Sequence, residues 1–187
     1  MKNPHDDAFD TRAAPPMSTL DDPIATFAAF HELIRKQCGN LDTLAHDLTR
    51  FHADNVARNR AAMMVRFFDV DVHEHHTDEE LIFFPRLLAL DLDATAKAEL
   101  AALLDVLSKD HRALHETWQP LRQSLRNIIG GKTDWVNVDV TTFNTLHHHH
   151  LHKEDSSVFP FARRHFSDEA LQELRGAIIV RRSELQP

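Results

Sequence analysis

The chain of 187 residues has 29 acidic against 21 basic side chains and a formal charge of −8. That balance disfavours nucleic acid or an anionic membrane as a partner, because both are held by a basic face. A single cysteine, Cys38, excludes a disulfide framework and a cysteine-based zinc site, and there is no apolar run of about 18 residues and no signal-peptide pattern, so a cytoplasmic setting is expected.

Residues 1–20 hold three prolines without sustained apolar periodicity and are expected to form a flexible tail ahead of one domain, 21–187. Asp21 or Asp22 can cap a first helix that opens on Pro23, a favoured first position for proline. Ile24, Phe27, His31, Ile34, Cys38, Leu41, Leu44 and Leu48 then recur at three-to-four spacing, which predicts a helix to about Phe51. After a turn at 52–55, a second helix is predicted from about Val56 to Leu90, with Pro85 kinking it or ending its regular part. The stretch 90–93 supplies a turn and a cap. A third helix follows from Ala94 to about Ile129, stopped by Gly130 and Gly131. A loop to Val138 precedes a fourth helix, roughly Val140 to Arg163, with Pro160 placed as Pro85 is. Ser167 then opens a short fifth helix that ends near Glu184. Four glycines, no tyrosine and much Ala, Leu and Glu agree with an all-α fold, an antiparallel up-down-up-down four-helix bundle with a short C-terminal helix.

Fifteen histidines are the compositional anomaly, and an internal repeat organises some of them. HHTDEELIFFP at 75–85 aligns without gaps on HLHKEDSSVFP at 150–160, matching His, Glu, Phe and Pro at the same offsets. His31 lies 44 residues before the first copy and His111 lies 39 before the second, so each half reads as a helical hairpin with a His on its first helix and an H-x-x-x-E pair on its second. Residues four apart share a helix face, so His75 with Glu79, and His150 with Glu154, can each offer an imidazole and a carboxylate to one site; His111 and His115 offer two imidazoles. With His31 these make five histidines and two glutamates, a donor set that suits two iron ions better than magnesium or calcium. The midpoint of His31 and His75 falls at residue 53, inside the first turn, and that of His111 and His150 at the glycine break, so each pair shares a level. His46 and His52 would lie about 20–30 Å along the helix from His31 and fall outside the site. Two choices stay open at this point: His76 and Glu80 form a competing four-residue pair, and Asp155 is a competing carboxylate beside Glu154. The remaining members of the run LHHHHLH at 146–152, His147, His148, His149 and His152, are expected to be mostly exposed or behind the ligands.

The motif H-x-x-x-E-E-x-x-F-F-P at 75–85, after FFDVDVHEH, resembles the hemerythrin-like HHE cation-binding domains of bacteria. So do DHRAL at 110–114 with Trp118, and H-x-x-x-E at 150–154 followed by VFPFA; the resemblance covers roughly residues 22–165. It implies a bundle around a non-haem di-iron centre, with two iron ions in an Fe-O-Fe or hydroxo-bridged arrangement, and ligands at His31, His75, Glu79, His111, His150 and Glu154. His115 stands where hemerythrins proper have a further histidine and many bacterial relatives have glutamate. The implied function is binding of dioxygen, or of a related diatomic or peroxide ligand, for oxygen binding, sensing or storage, by a monomer or homodimer. The alternatives it implies are a redox enzyme acting on nitric oxide, peroxide or damaged iron–sulfur clusters, or a metal-storage or signalling module. No Glu-x-x-His pair, H-E-x-x-H motif or Gly-rich phosphate loop is present to support another metal or phosphate chemistry.

Overall fold

A computed structural model describes residues 22–132, 135 and 139–184; the expected tail, 1–20, lies outside them. Five helices follow in order: α1 (Pro23–Arg50), α2 (55–88), α3 (Ala94–Ile129), α4 (140–165) and α5 (Asp168–Ser183). Each begins at a side-chain cap that satisfies otherwise orphaned backbone N–H groups: Asp22, Asp54, Asp93, Asp139 and Ser167. Asp22 Oδ1 accepts from the Ile24 and Ala25 N–H groups at 2.8 and 3.0 Å, with Pro23 at the first helical position. The third helix stops at Gly130, and Gly131 takes a left-handed φ of 88°, which a side chain would resist. The all-α bundle expected from the sequence is the fold observed. Among the described residues no helix is long and apolar enough to cross a membrane.

α1 packs on α2 and α4, and α3 packs on α2 and α4, closing a four-helix ring. Its apolar interior is two clusters, not one. One contains Ile34, Leu41, Met64, Phe68, Trp118, Leu121 and Phe143; the other contains Phe27, Phe83, Leu87, Leu107, Val158 and Phe159. Full burial of each such side chain stabilises by about 1.5–3 kcal/mol. On α1, α2 and α3 the chain passes from one cluster to the other through a buried histidine: His31, His75 and His111. The apolar clusters therefore bracket a polar layer whose burial would by itself oppose folding.

Two of the long helices are not regular. In α2 the turns Phe67–Asp71 and Glu79–Phe83 are π-helical, and in α4 the turn Glu154–Val158 is too. The Phe84 N–H reaches back to the Glu79 carbonyl and the Phe159 N–H to the Glu154 carbonyl, one residue further than in an α-helix. Pro85 and Pro160 stand two residues after the turns that open at Glu79 and Glu154. A proline ring clashes with the carbonyl four residues earlier in a regular helix, and the wider turn relieves that crowding. Hence α2 continues past Pro85 to Leu88, and α4 past Pro160 to His165.

The fifth helix docks against this ring through buried Leu174 and Ile178 and through an ionic clamp. Asp78, fully buried on α2, accepts from Arg181 Nε and Arg182 Nε, each at 2.6 Å, while Arg181 also pairs with Glu74 at 2.7 Å. Asp78 immediately precedes Glu79, so α5 braces the turn that opens into the polar layer.

Candidate metal centre

Four helices each deliver an imidazole to the polar layer. The Nε2 atoms of His31 and His75 face one another at 3.1 Å, and those of His111 and His150 do the same at 3.1 Å. Glu79 and Glu154 lie among them. Glu79 Oε1 is 3.2 Å from His75 and 3.7 Å from His31, while its Oε2 is 3.5 Å from His111. Glu154 Oε2 is 3.2 Å from His150 and 3.3 Å from His31. Both glutamates are fully buried, and none of their four carboxylate oxygens has a hydrogen-bond partner. Buried carboxylate oxygens left without donors are costly, whereas a cation among them would satisfy all four.

Donor atoms close enough to share an ion fall into two sets: His31, His75, Glu79 and Glu154; and His76, Glu79, His111 and His150. Glu79 belongs to both. Imidazole nitrogen with carboxylate oxygen is a donor set for a first-row transition metal, so the residues fit a bound metal.

The outward nitrogens of three of these histidines face carboxylates. His31 Nδ1 donates to Asp155 Oδ1 at 2.8 Å, and Asp155 is gripped in turn by Arg35. His111 Nδ1 donates to Glu80 Oε1 at 2.7 Å. His150 Nδ1 is 3.7 Å from Asp110 Oδ2, which Lys153 holds at 2.6 Å. Such partners fix which ring nitrogen carries the hydrogen and aim Nε2 at the centre. The arrangement is crosswise: the residue after Glu79 backs the His of the second hairpin, and the residue after Glu154 backs the His of the first.

The protein's own charges distribute protons unevenly across the layer. Burial pulls the His31 imidazole down, but its hydrogen bond to Asp155 and the nearby Glu154 and Glu79 carboxylates outweigh it and hold His31 well above the usual histidine range. His150 is lowered by burial yet raised more by Glu154 and Asp110, to about 9. Burial, then the positive His31, pushes His75 well down. Burial and the neighbouring Glu154 raise Glu79, while Glu154 falls well below the carboxylate range because His150 and His31 outweigh its desolvation. Metal binding to these nitrogens therefore has to displace protons.

Of the seven residues singled out from sequence, His31, His75, Glu79, His111, His150 and Glu154 are brought together. His115 is not: it is exposed, with Nε2 3.1 Å from the Gln119 amide. The buried stripe of α3 runs Leu104, Leu107, His111, Leu114, Trp118, so after His111 it steps by three, and the residue four on is left at the edge. Leu114 and Trp118 are themselves the signal for that step.

His76 joins the cluster instead, stacked on His111 with ring centroids 4.0 Å apart. A helix inside a bundle has two neighbours, and 100° of rotation sends His75 towards α1 and His76 towards α3. The two registers left open by the sequence are thus both used, with Glu80 behind His111. Asp155 likewise sits behind His31, not between the hairpins. His147, expected to be exposed or behind the ligands, is buried; its Nδ1 donates to the Phe143 carbonyl at 3.2 Å, and burial lowers its pKa to about 3. His148, His149 and His152 are exposed as expected. Cys38 is buried against the core, which pushes its thiol up to about 12 and leaves it unreactive.

The model of the hemerythrin HHE cation-binding domain matches residues 22–162 of the chain. The sequence is also 25% identical over 166 residues to an uncharacterised protein of Haemophilus influenzae, a match covering 88% of this chain and 92% of that protein.

Proposed function

Because the chain belongs to the hemerythrin HHE cation-binding family, we propose that its cation is iron, that two non-haem iron ions are held, and that the centre binds dioxygen or a related small diatomic or peroxide ligand. The observation that carries this reading is the four buried, partnerless oxygens of Glu79 and Glu154, surrounded by imidazole nitrogens from four helices. In this reading His31 and His75, with Glu79 and Glu154, would hold one ion, and His76, His111 and His150, with Glu79, would hold the other. Bound iron would supply the reversible electron transfer that capture of such a ligand needs.

The rest is the work of the chain. Glu80 and Asp155 hold the rings of His111 and His31 in place, so each Nε2 is aimed at the centre before any ion arrives. The aromatic layer of Phe27, Phe83 and Phe159 keeps bulk water from one side of the centre, and Phe68, Trp118 and Phe143 flank the other. The proposed setting is cytoplasmic.

Metal analysis and the ultraviolet–visible spectrum of untagged protein test the proposal together. Two irons per chain, with charge-transfer bands of a bridged ferric pair that bleach and return as oxygen is removed and restored, are expected. One zinc, or no metal, overturns the iron centre. Irreversible oxidation, or catalytic turnover of peroxide or nitric oxide, overturns the binding role and favours the enzyme.

A further inference from the structure

The run LHHHHLH on α4 carries more imidazoles than the buried layer uses. His147 and His150 are buried together with Leu151, whereas His148, His149 and His152 lie on the outer face of the helix and are exposed. Among the described residues, none of these three side chains makes a hydrogen bond, an ion pair or a ring contact. Three free imidazoles therefore stand on two adjacent turns, in a form that can take a ligand without breaking any existing contact.

Position in the turn selects two of the three. His148 and His152 are four residues apart, which sets them about 40° apart around the helix axis and about 6 Å along it. Two imidazoles at that spacing can close on one ion, each through one ring nitrogen. His149 lies three from His152, but its own neighbour four residues on is Lys153, whose ammonium is held at 2.6 Å by Asp110. That side of the turn thus sets an imidazole beside a positive charge, which opposes a bound cation. Asp155, seven residues past His148 on the same stripe, is committed to His31 and Arg35, and so is not free to complete the pair. The repeat sharpens the point. Where the second hairpin has His147, His148 and His152, the first has Val72, His73 and Thr77, with the Thr77 hydroxyl bonded to the His73 carbonyl at 2.8 Å. The outward histidine pair is thus a departure from the pattern the two halves otherwise share.

We propose that His148 and His152 form a surface metal site for a divalent cation of the late first row (nickel, copper or zinc), bound by two imidazole nitrogens with water in the remaining positions. Imidazole donors without a carboxylate select these metals over magnesium, calcium and manganese, and affinity at such a site rises from cobalt to nickel to copper. The buried sets mix imidazole with carboxylate, so the two places differ in donor chemistry as well as in exposure. The inference goes beyond the iron reading and does not rest on it, since neither His148 nor His152 belongs to the buried sets.

The test is retention of the untagged full chain on an immobilised-nickel resin, because nickel fixed to a resin reaches exposed imidazoles and not the buried sets. Wild type should be retained until imidazole is added, more firmly on copper than on nickel and on nickel than on cobalt. His148→Ala and His152→Ala should each lose that retention, since a single imidazole forgoes the gain of about a hundredfold that a second linked donor brings. His149→Ala should be held as wild type is. All three positions are exposed, so the variants should keep the wild-type circular dichroism, and loss of retention then reads the site and not unfolding. Wild type that passes unretained, retention that survives in both His148→Ala and His152→Ala, equal loss in His149→Ala, or the reverse order of metals overturns the proposal. Metal content of the same samples reports separately on the buried centre, so either idea can fail without the other.

Discussion

The α1–α2 and α3–α4 hairpins are two versions of one device. In each, two Nε2 atoms meet at 3.1 Å, a glutamate opens a π turn, and a proline follows it. Their differences lie at a few aligned positions. Where the first hairpin has His76 the second has buried Leu151, and where the first has Asp78, clamped by α5, the second has half-exposed Lys153. The first hairpin therefore gives the centre an extra imidazole and a rigid brace, while the second gives it the same skeleton with less specialisation. A near-symmetric frame has been made asymmetric by substitutions adjacent to the buried His and Glu side chains, and not by changing those the halves share.

The largest expected effect comes from the glutamates. Glu79 reaches both donor sets and Glu154 one of them, so with two ions held as proposed Glu79→Gln should strip both, while Glu154→Gln should leave about one ion per chain on His76, His111 and His150. Metal analysis after gel filtration reads this directly. Equal loss in the two variants would mean that the halves are equivalent at their carboxylates, and the asymmetry would be confined to their surroundings.

His76→Leu makes the first hairpin like the second at that position. It should weaken metal binding on the α3–α4 side about a hundredfold, since losing even an outer-shell partner costs about 10–100-fold. His115→Ala should change nothing. Competition with a chromophoric chelator separates the two variants, and a loss of affinity in His115→Ala with none in His76→Leu would reverse the assignment made from the geometry.

The brace is next. Removing one partner of a fully buried ion pair costs about 3–5 kcal/mol, but the Arg181 and Arg182 side chains are 18% and 33% exposed, so water screens part of that loss. Asp78→Asn should therefore cost about 2 kcal/mol and lower the melting temperature by about 4–8 °C. Lys153→Met, at the aligned position, should shift it little, because its pair with Asp110 is half-exposed. Similar shifts in both variants would show that α5 adds no brace.

Much of this was legible in the residues themselves. The stripe from Ile24 to Leu48, the capping aspartates and the Gly130–Gly131 stop specify helices whose bounds the structure reproduces to within two or three residues. The level argument, which uses only equal distance from a turn, brings His31 to His75 and His111 to His150. What stayed hidden depends on geometry that no residue type announces. A π turn needs no particular side chain; only the repeated proline hints at it, and a proline equally predicts a kink or the end of a helix's regular part. The i,i+4 rule picks one face of a helix, whereas α2 has a neighbour on each side, so His75 and His76 both point inward to different partners. The crosswise backing of His111 by Glu80 and His31 by Asp155 joins residues 31 and 124 positions apart, and only the packed bundle shows it.

The smallest effect probes the Val72–His147 difference between the hairpins. Buried His147 keeps its imidazole neutral until about pH 3, whereas in the unfolded chain a histidine takes a proton below about pH 6.5. The unfolded state thus binds more protons between these values, so the contribution of this group to stability is complete above pH 6.5 and is lost as the pH falls towards 3. Urea unfolding of metal-free protein at pH 8 and pH 6 reads the upper end of that window. Wild type should lose about 1 kcal/mol more between the two than His147→Leu does, since the variant has nothing to titrate there. Exposed His149, two residues on, is the control: His149→Leu should keep the wild-type slope. If His147→Leu kept it too, the acid sensitivity would belong to the buried histidines that both hairpins carry, and not to the residue that distinguishes them.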